Sequence, residues 1–214
     1  MTKRWILVPL ILLGLLGCST MYYGAMEKVG VHKRDIMVDR VKAARNTQEE
    51  AKKQFLTAME QFKSVVRFQG GDLEKEHQRL SAQLQKSEAR ASEVRKRIAA
   101  VQDVSEALFS EWRSEIKQYN SDTLRRSSQR QYDRTEMKYR ELIKAMKKAK
   151  SKLEPALIPL RDQVLFMKHN LNAKAIAGLS EEVVTVQTTV EELVSEIESA
   201  IAQADAFIDS LQTP

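Results

Sequence analysis

The stretch VVTVQTTVEELVSEIESAIAQADAFIDSL, residues 183–211, places an apolar side chain at alternating steps of three and four. Its apolar positions are Val183, Val186, Val190, Leu193, Ile197, Ala200, Ala204, Phe207 and Leu211. This spacing is the a and d seam of a heptad repeat, which faces a partner helix along one side of an α-helix. The stretch therefore predicts one long amphipathic helix.

Three further stretches, residues 41–65, 73–112 and 132–171, repeat this spacing, and none alternates with the period of a strand. The 214 residues include only seven glycines and four prolines, and 30% are charged, which is typical of helices that face water. Short connections between long helices favour antiparallel neighbours. The sequence therefore predicts an all-α protein, an elongated antiparallel helical bundle or coiled coil of about four long helices.

Polar side chains interrupt two of the seams, at Gln48, Ser87 and Ser105. Such positions either set the register between helices or face water in a long bundle. The second helix is expected to be the longest, with part of it projecting past its partners. A heptad seam closes equally well within one chain or between chains, so self-association fits the same pattern.

Residues that stop or start helices separate the four stretches. Gly70-Gly71-Asp72 combines a helix stop with an N-cap, and Asn120-Ser121-Asp122 breaks the second seam. Ser128-Gln129-Arg130-Gln131 has the spacing of a capping box ahead of the third seam. Residues 178–182, GLSEE, supply a turn, a cap and an acidic first turn for the fourth helix.

Two prolines, Pro155 and Pro159, interrupt the third seam in LEPALIPLRD, residues 153–162. Each removes a backbone donor, so the helix is expected to kink or break there. Helices that splay at this point could hold a lipid or another amphiphile, which gives an alternative function for the chain.

The chain opens with a segment typical of export. Lys3 and Arg4 form a basic start, and residues 6–16 are almost wholly apolar but too short for a comfortable membrane span. This core ends in Leu-Leu-Gly-Cys, which closely resembles the bacterial lipobox. The resemblance implies diacylglyceryl attachment to Cys18, cleavage between Gly17 and Cys18, and acylation of the new amino terminus. An ordinary secretory signal, or an uncleaved short anchor, with an incidental cysteine is the other interpretation.

A lipidated cysteine divides the chain into a cleaved signal peptide at 1–17, a lipidated tether at 18–33 and a helical coiled-coil domain at 34–212. Several acyl chains on Cys18 would hold the protein stably on a membrane. By analogy with enterobacterial sorting, Ser19 favours the outer membrane with the body facing the periplasm, over the inner membrane or the cell surface. In the tether, Tyr22 and Tyr23 lie either at the lipid headgroups or against the domain.

Residues that carry catalysis or bind metal are sparse. A single cysteine excludes an internal disulfide and any cysteine-based zinc or iron–sulfur site within one chain. Glu74 and His77 have the Glu-x-x-His spacing of ferritin-like bundles, but such sites need a second pair, and His32 and His169 lack the preceding acid. No Ser-His-Asp order, glycine-rich phosphate loop or HExxH motif is readable. We therefore expect no enzyme activity, catalytic residue, metal or cofactor.

Opposite charges lie on the third and fourth helices. Residues 123–152 hold eleven Lys or Arg against three acids, and residues 180–211 hold eight acids and no Lys or Arg. In an antiparallel hairpin that turns near Ala175, residues 144–152 would face residues 199–207 and pair with them across the seam. Such exposed pairs select the register more than they stabilise the fold.

The basic stretch RRSSQRQYDR, residues 125–134, extends beyond this pairing. It is either a solvated helix face or a patch for an anionic partner, such as an anionic lipid or an acidic envelope protein. Nucleic acid is not expected as a partner of an exported lipoprotein. The candidate residues are Arg125, Arg126, Arg130 and Arg134.

Several segments, together with the lipobox, resemble the bacterial lipoprotein family catalogued as domain of unknown function 2959. They are MYYGAMEKVGVHKRDIMVDRVKAARNTQEEAKKQFLTAMEQFK at 21–63, SEWRSEIKQY at 110–119, KYRELIKAMKKAKSKLEPAL at 138–157 and VLFMKHNLNAKAIAGL at 164–179. The resemblance covers nearly the whole mature chain and implies a Gram-negative envelope lipoprotein with a helical, coiled-coil body. It implies no activity. We expect a membrane-anchored, periplasm-facing protein that acts as a non-enzymatic scaffold, spacer or adaptor.

Overall fold

Four long helices make up the computed structural model, which describes residue 23, residues 32–67, residue 70, residues 72–170 and residues 178–212. They are α1 (Lys33–Val66), α2 (Leu73–Ile116), α3 (Asp122–His169) and α4 (Val183–Gln212). No strand occurs in these described ranges. The predicted all-α fold of about four long helices is therefore confirmed.

The helices form an up-down-up-down bundle in which α1 and α3 each pack against α2 and α4. Ion pairs show the antiparallel directions. Lys33 at the start of α1 pairs with Glu111 near the end of α2, and Arg45 on α1 pairs with Asp205 near the end of α4. One end of the bundle therefore holds the start of α1, the end of α4 and the α2–α3 connection.

The predicted seams form the core. The buried positions of α4 include Val186, Val190, Leu193, Ile197, Ala200, Ala204 and Phe207. Those of α1 include Val41, Ala44, Ala51, Phe55, Ala58, Phe62 and Val65. Burial of these apolar surfaces, at about 25 cal/mol per Å², is the main term that holds the four helices together.

The helix ends follow two of the predicted breaks. Gly70 has a φ of 155°, which favours glycine, and Asp72 is the N-cap of α2. Its carboxylate accepts a hydrogen bond from the backbone N–H of Lys75 at 3.2 Å. Ser121 caps α3 in the same way, with its hydroxyl 3.4 Å from the N–H of Leu124.

The capping box proposed at Ser128 is wrong. Residues 128–131 lie inside α3, because Ser121 has already capped that helix two turns earlier. The Ser128 hydroxyl instead accepts a hydrogen bond from Nε1 of Trp112 on α2, at 2.9 Å. Ser128, which the sequence predicts as a helix cap, thus joins two helices.

The prolines do not break α3, which runs without interruption through Pro155 and Pro159. Buried residues on both sides hold the helix in place: Leu153, Ala156, Leu157 and Leu160. Pro155 removes the donor for the carbonyl of Ser151, and this residue is exposed to water, which can replace the lost partner. As a result α3, with 48 residues, is longer than α2, with 44, and the prediction that the second helix is the longest is wrong.

The charged hairpin of α3 and α4 is antiparallel, as predicted, but its register differs by one heptad. Lys148 pairs with Glu196 at 2.7 Å, and Lys152 pairs with Glu192 at 2.7 Å. The sequence had placed Lys148 opposite position 203. The expected turn near Ala175 lies outside the described residues.

The α2–α3 connection projects from the bundle. Since Lys33 at the start of α1 pairs with Glu111, the last turn of α2 and the first two turns of α3 extend beyond α1, by about 10 Å at 1.5 Å per residue. We call residues 113–130 the hairpin tip. The projection thus belongs to two helices, where the sequence had indicated only the second.

Candidate functional surfaces at the two ends of the bundle

Tyr23 is fixed against α1 and α2 near the hairpin end. Its side chain is 1% exposed, and its hydroxyl donates a hydrogen bond to Asp103 of α2 at 2.5 Å. Nη1 of Arg40 donates to the same hydroxyl at 2.8 Å and to Asp103 at 3.0 Å, and the guanidinium lies 5.4 Å from the ring centroid. Burial, followed by the hydrogen bond to Asp103, raises the pKa of Tyr23 to about 12. The phenol therefore stays neutral and joins the segment that precedes α1 to the bundle.

These contacts decide between the two positions considered for Tyr23, which packs against the domain and not at lipid headgroups. Gly17, Cys18 and Tyr22 lie outside the described residues. Lys33, the last residue assigned to the tether, already belongs to α1. Only four residues separate Tyr23 from Cys18, so a lipid on that cysteine would lie close to the bundle.

The four candidate arginines lie along the exposed side of the first turns of α3. Arg125 pairs with Asp122 in the first turn of the helix. Arg126, Arg130 and Arg134 form no ion pair with any residue that the structure describes. The acidic helix α4 pairs with basic residues farther along α3, such as Lys148 and Lys152, and leaves these arginines in solvent.

Apolar side chains accompany the charges on the hairpin tip. Tyr119, in the connection, is 40% exposed, and Leu124, in the first turn of α3, is 57% exposed. The tip also carries five basic residues, Arg113, Lys117, Arg125, Arg126 and Arg130, against two acids, Glu115 and Asp122. This combination of cations with exposed aromatic and aliphatic side chains suits the boundary between water and an anionic surface.

A groove lies between α3 and α4 at the opposite end of the bundle, and we call it the distal groove. Its volume is about 670 Å³, within the range of ligand pockets. Ile158 is 50% exposed and Phe166 is 43% exposed along it. Its full lining is Pro155, Ile158, Pro159, Asp162, Gln163, Phe166, Gly178, Leu179, Glu182, Thr185 and Thr189.

The polar part of the distal groove is acidic. Asp162 and Glu182 belong to its lining, and no Lys or Arg does so among the described residues. Pro159 supplies no N–H, so the carbonyl of Pro155 lacks its helical donor beside the groove. The groove therefore offers apolar walls and hydrogen-bond acceptors, and it disfavours anionic groups.

The polar seam residues are buried, so the interpretation of water-exposed positions is wrong. Ser87 and Ser105 satisfy their hydroxyls on carbonyls of their own helix, those of Gln83 and Gln102, at 2.9 and 2.7 Å. Gln48 is 0% exposed, and neither of its amide atoms has a partner among the residues described. Gln48 thus costs stability, since a buried amide without hydrogen bonds is unfavourable.

The Glu-x-x-His pair does not form a ligand set. Nε2 of His77 donates a hydrogen bond to the carbonyl of Val164 on α3, at 3.2 Å. Nowhere in the described ranges do three or more His, Cys, Asp or Glu side chains gather as they would around a metal ion. The described helices also include none that is long and apolar enough to span a bilayer.

A sequence comparison identifies the relatives of this bundle. The model of a family described as a protein of unknown function (DUF2959) matches residues 22–211. The match covers the four helices, apart from the last residue of α4, and begins after Cys18. No curated protein matches the chain.

Proposed function

The chain belongs to the DUF2959 family of proteins of unknown function, and from this premise we propose that it is a membrane-anchored helical spacer. In this proposal, acyl chains on Cys18 hold one end on the outer membrane, and the bundle extends into the periplasm as a non-enzymatic scaffold or adaptor. The observation that carries the proposal is the placement of Tyr23 and the distal groove. They lie toward opposite ends of one continuously packed bundle.

The length of the bundle suits a spacer. Asp103, which binds Tyr23, lies on α2, and Arg161, beside the groove residues of α3, pairs with Glu88 of α2. Glu88 precedes Asp103 by 15 residues, which is about 22 Å at 1.5 Å per residue. A partner in the distal groove would therefore be held tens of ångströms from the anchor.

The charge environment supports a structural role over a catalytic one. Shifted pKa values often mark active sites. Here burial raises the pKa of Tyr23, Tyr132 and Tyr139, and the other shifted groups lie in surface ion pairs. A hydrogen bond from Lys52 lowers the pKa of Glu49, and one from Arg161 lowers the pKa of Glu154. None of these four side chains lines the distal groove.

The anchor is tested by metabolic labelling of growing cells with a clickable palmitate analogue. We expect label on the wild-type protein and on a Ser19→Ala control, and none on Cys18→Ser. An unlabelled wild-type protein would contradict the anchor. Density-gradient separation of inner and outer membranes then tests the location, since the proposal expects the labelled protein in the outer membrane fraction.

The adaptor role is tested by photo-crosslinking in living cells. A photoreactive residue replaces Ile158 in the distal groove, and a control replaces Lys96, which is exposed on α2. We expect a specific envelope partner at Ile158, none at Lys96, and loss of the crosslink in Cys18→Ser. Crosslinks only within the chain itself would contradict an adaptor role for this surface.

A second candidate function is supported by the volume and walls of the distal groove: it would hold a lipid or another amphiphile. The acidic lining favours a neutral or cationic headgroup. We expect full-length Cys18→Ser protein, which lacks the anchor, to retain an amphiphile in native mass spectrometry, and Ile158→Asp to lose it. Ligand-free protein in the first case would contradict this function.

A further inference from the structure

We propose that the hairpin tip is a second membrane contact, which lies on the anionic headgroups of the bilayer that holds Cys18. The inference rests on the proposed anchor and adds the orientation of the bundle and the chemistry of the lipid surface. Two independent observations support it: the short distance that the chain allows between Cys18 and Tyr23, and the charge and exposed side chains of the tip.

The tether limits where the membrane can lie. Tyr23 is held at the level of Asp103, and the five peptide steps back to Cys18 span at most about 18 Å when fully extended. From Asp103 to the end of α2 at Ile116, the helix advances about 20 Å, and the connection to α3 lies farther out. The tip therefore reaches as far toward the membrane as the lipidated cysteine can.

The reverse orientation is incompatible with the same tether. From Asp103 to the start of α2 at Leu73, the helix extends about 45 Å in the other direction. An anchor within about 18 Å of Tyr23 cannot place a bilayer beyond that end of the bundle. The bundle thus stands with the hairpin tip toward the membrane, or tilts with the tip still near its surface.

The charge of the molecule agrees with this orientation. The hairpin tip has a surplus of basic residues, and its Arg126 and Arg130 form no ion pair among the described residues. The distal groove, at the other end, has acids and no basic residue in its described lining. The hairpin tip therefore attracts an anionic bilayer, and the lining of the distal groove offers it no basic side chain.

The exposed side chains of the tip fit headgroups better than open solvent. Tyr119 presents an aromatic ring with a polar hydroxyl, a combination that is enriched at membrane interfaces. Leu124 adds an exposed aliphatic side chain in the first turn of α3. Each arginine near an anionic surface strengthens the contact by about a fivefold factor in its equilibrium constant.

A fluorescent probe on the tip tests the proposal in the full, lipidated chain. The lipid occupies the sulfur of the only cysteine, so Asn120→Cys supplies a single free thiol for an environment-sensitive dye. Glu74→Cys, exposed at the other end of the bundle, is the matched control. In vesicles of phosphatidylcholine with phosphatidylglycerol, we expect a brighter, blue-shifted signal at position 120 and no change at position 74.

Two pairs of substitutions separate local contact from net charge. Arg126→Gln with Arg130→Gln should weaken the tip contact by about 25-fold. Lys147→Gln with Lys150→Gln removes the same charge from exposed sites farther along α3 and should leave the signal unchanged. Thermal unfolding of both double variants should match that of the parent, because these four side chains are exposed and outside the core.

Vesicle flotation reports the anchor independently of the probe. A protein that floats while position 120 stays in water would overturn the tip contact and leave the anchor intact. Equal signals in pure phosphatidylcholine vesicles would also overturn the proposal, since a contact enforced by the tether alone needs no anionic lipid. Loss of flotation together with loss of palmitate label would overturn both proposals.

Discussion

The hydroxyl of Tyr23 donates a hydrogen bond to the carboxylate of Asp103, 80 positions along the chain. Arg40 of α1 completes the cluster by donating to both groups. The segment that leads to Cys18 is therefore joined to two helices. Under the proposed anchor, this cluster would limit how far the bundle stands from a lipid on that cysteine.

Removal of the Tyr23 hydroxyl should destabilise the bundle modestly. In Tyr23→Phe the ring still packs, and Arg40 and Asp103 keep their 3.0 Å ion pair, so only the hydrogen bonds of the hydroxyl are lost. We expect the free energy of unfolding in urea to fall by about 1–1.5 kcal/mol. Tyr119→Phe on the exposed tip is the control and should change nothing. Equal stability of the two variants would show that the Tyr23 hydrogen bonds contribute no net stability.

The same cluster predicts a loss of stability at high pH. The pKa of Tyr23 is about 12 in the folded protein, against 10.0 for a free phenol. The folded state therefore favours the neutral phenol, and its contribution is fully present below pH 10 and is lost as the pH rises through 12. Between these values we expect the stability of the wild type to fall by about 2–3 kcal/mol more than that of Tyr23→Phe. Unfolding curves of both proteins across this range measure the difference, and parallel curves would contradict it.

Periodicity predicted the helices and the core, because a side chain's position on a helix face depends only on local spacing. The register between α3 and α4 is a different problem. An a and d seam packs as well after a shift of seven residues, so the repeat of Val186, Leu193 and Ala200 does not fix it. The structure resolves this ambiguity by pairing Lys148 with Glu196.

The features that the sequence did not reveal depend on contacts between distant residues. Ser121 and Ser128 both look like caps, and only the contact between Ser128 and Trp112 of α2 shows which one lies inside α3. Tyr23 likewise had two equally suitable positions until Asp103 and Arg40 were found beside it. The sequence located the arginines on the third helix. The place of Arg125, Arg126 and Arg130 on the projecting hairpin tip follows from where α2 ends and α3 begins.

Because the buried amide of Gln48 has no hydrogen-bond partner among the described residues, replacing it with an apolar side chain should stabilise the protein. Leucine has nearly the same shape and no polar atoms, so Gln48→Leu relieves the cost of a buried amide without partners. We expect the free energy of unfolding to rise by about 1–3 kcal/mol. The same substitution at Gln61 is the control. Its Nε2 donates to the buried carboxylate of Glu76 at 3.0 Å, so Gln61→Leu should destabilise the protein. A loss of stability in both variants would show that the side-chain amide of Gln48 has hydrogen-bond partners in solution.

Pro155 should be unfavourable for stability and useful for the distal groove. Alanine at this position restores a backbone donor to the exposed carbonyl of Ser151, and proline costs about 3 kcal/mol relative to alanine in a helix interior. Alanine also gives the unfolded chain more conformational freedom than proline does, which lowers the expected gain in stability by about 1 kcal/mol. We therefore expect Pro155→Ala to raise the free energy of unfolding by about 2 kcal/mol in urea titrations.

Pro159→Ala separates the backbone effect from packing. Pro159 is buried, so its replacement also removes core contacts, and the gain in stability should be smaller than at Pro155. Both prolines line the distal groove, so crosslinking from Ile158 should decrease in Pro155→Ala even as the bundle becomes more stable. Such opposite changes would show that the proline serves the groove at the expense of the helix. Unchanged crosslinking with higher stability would instead mean that Pro155 does not shape the binding surface.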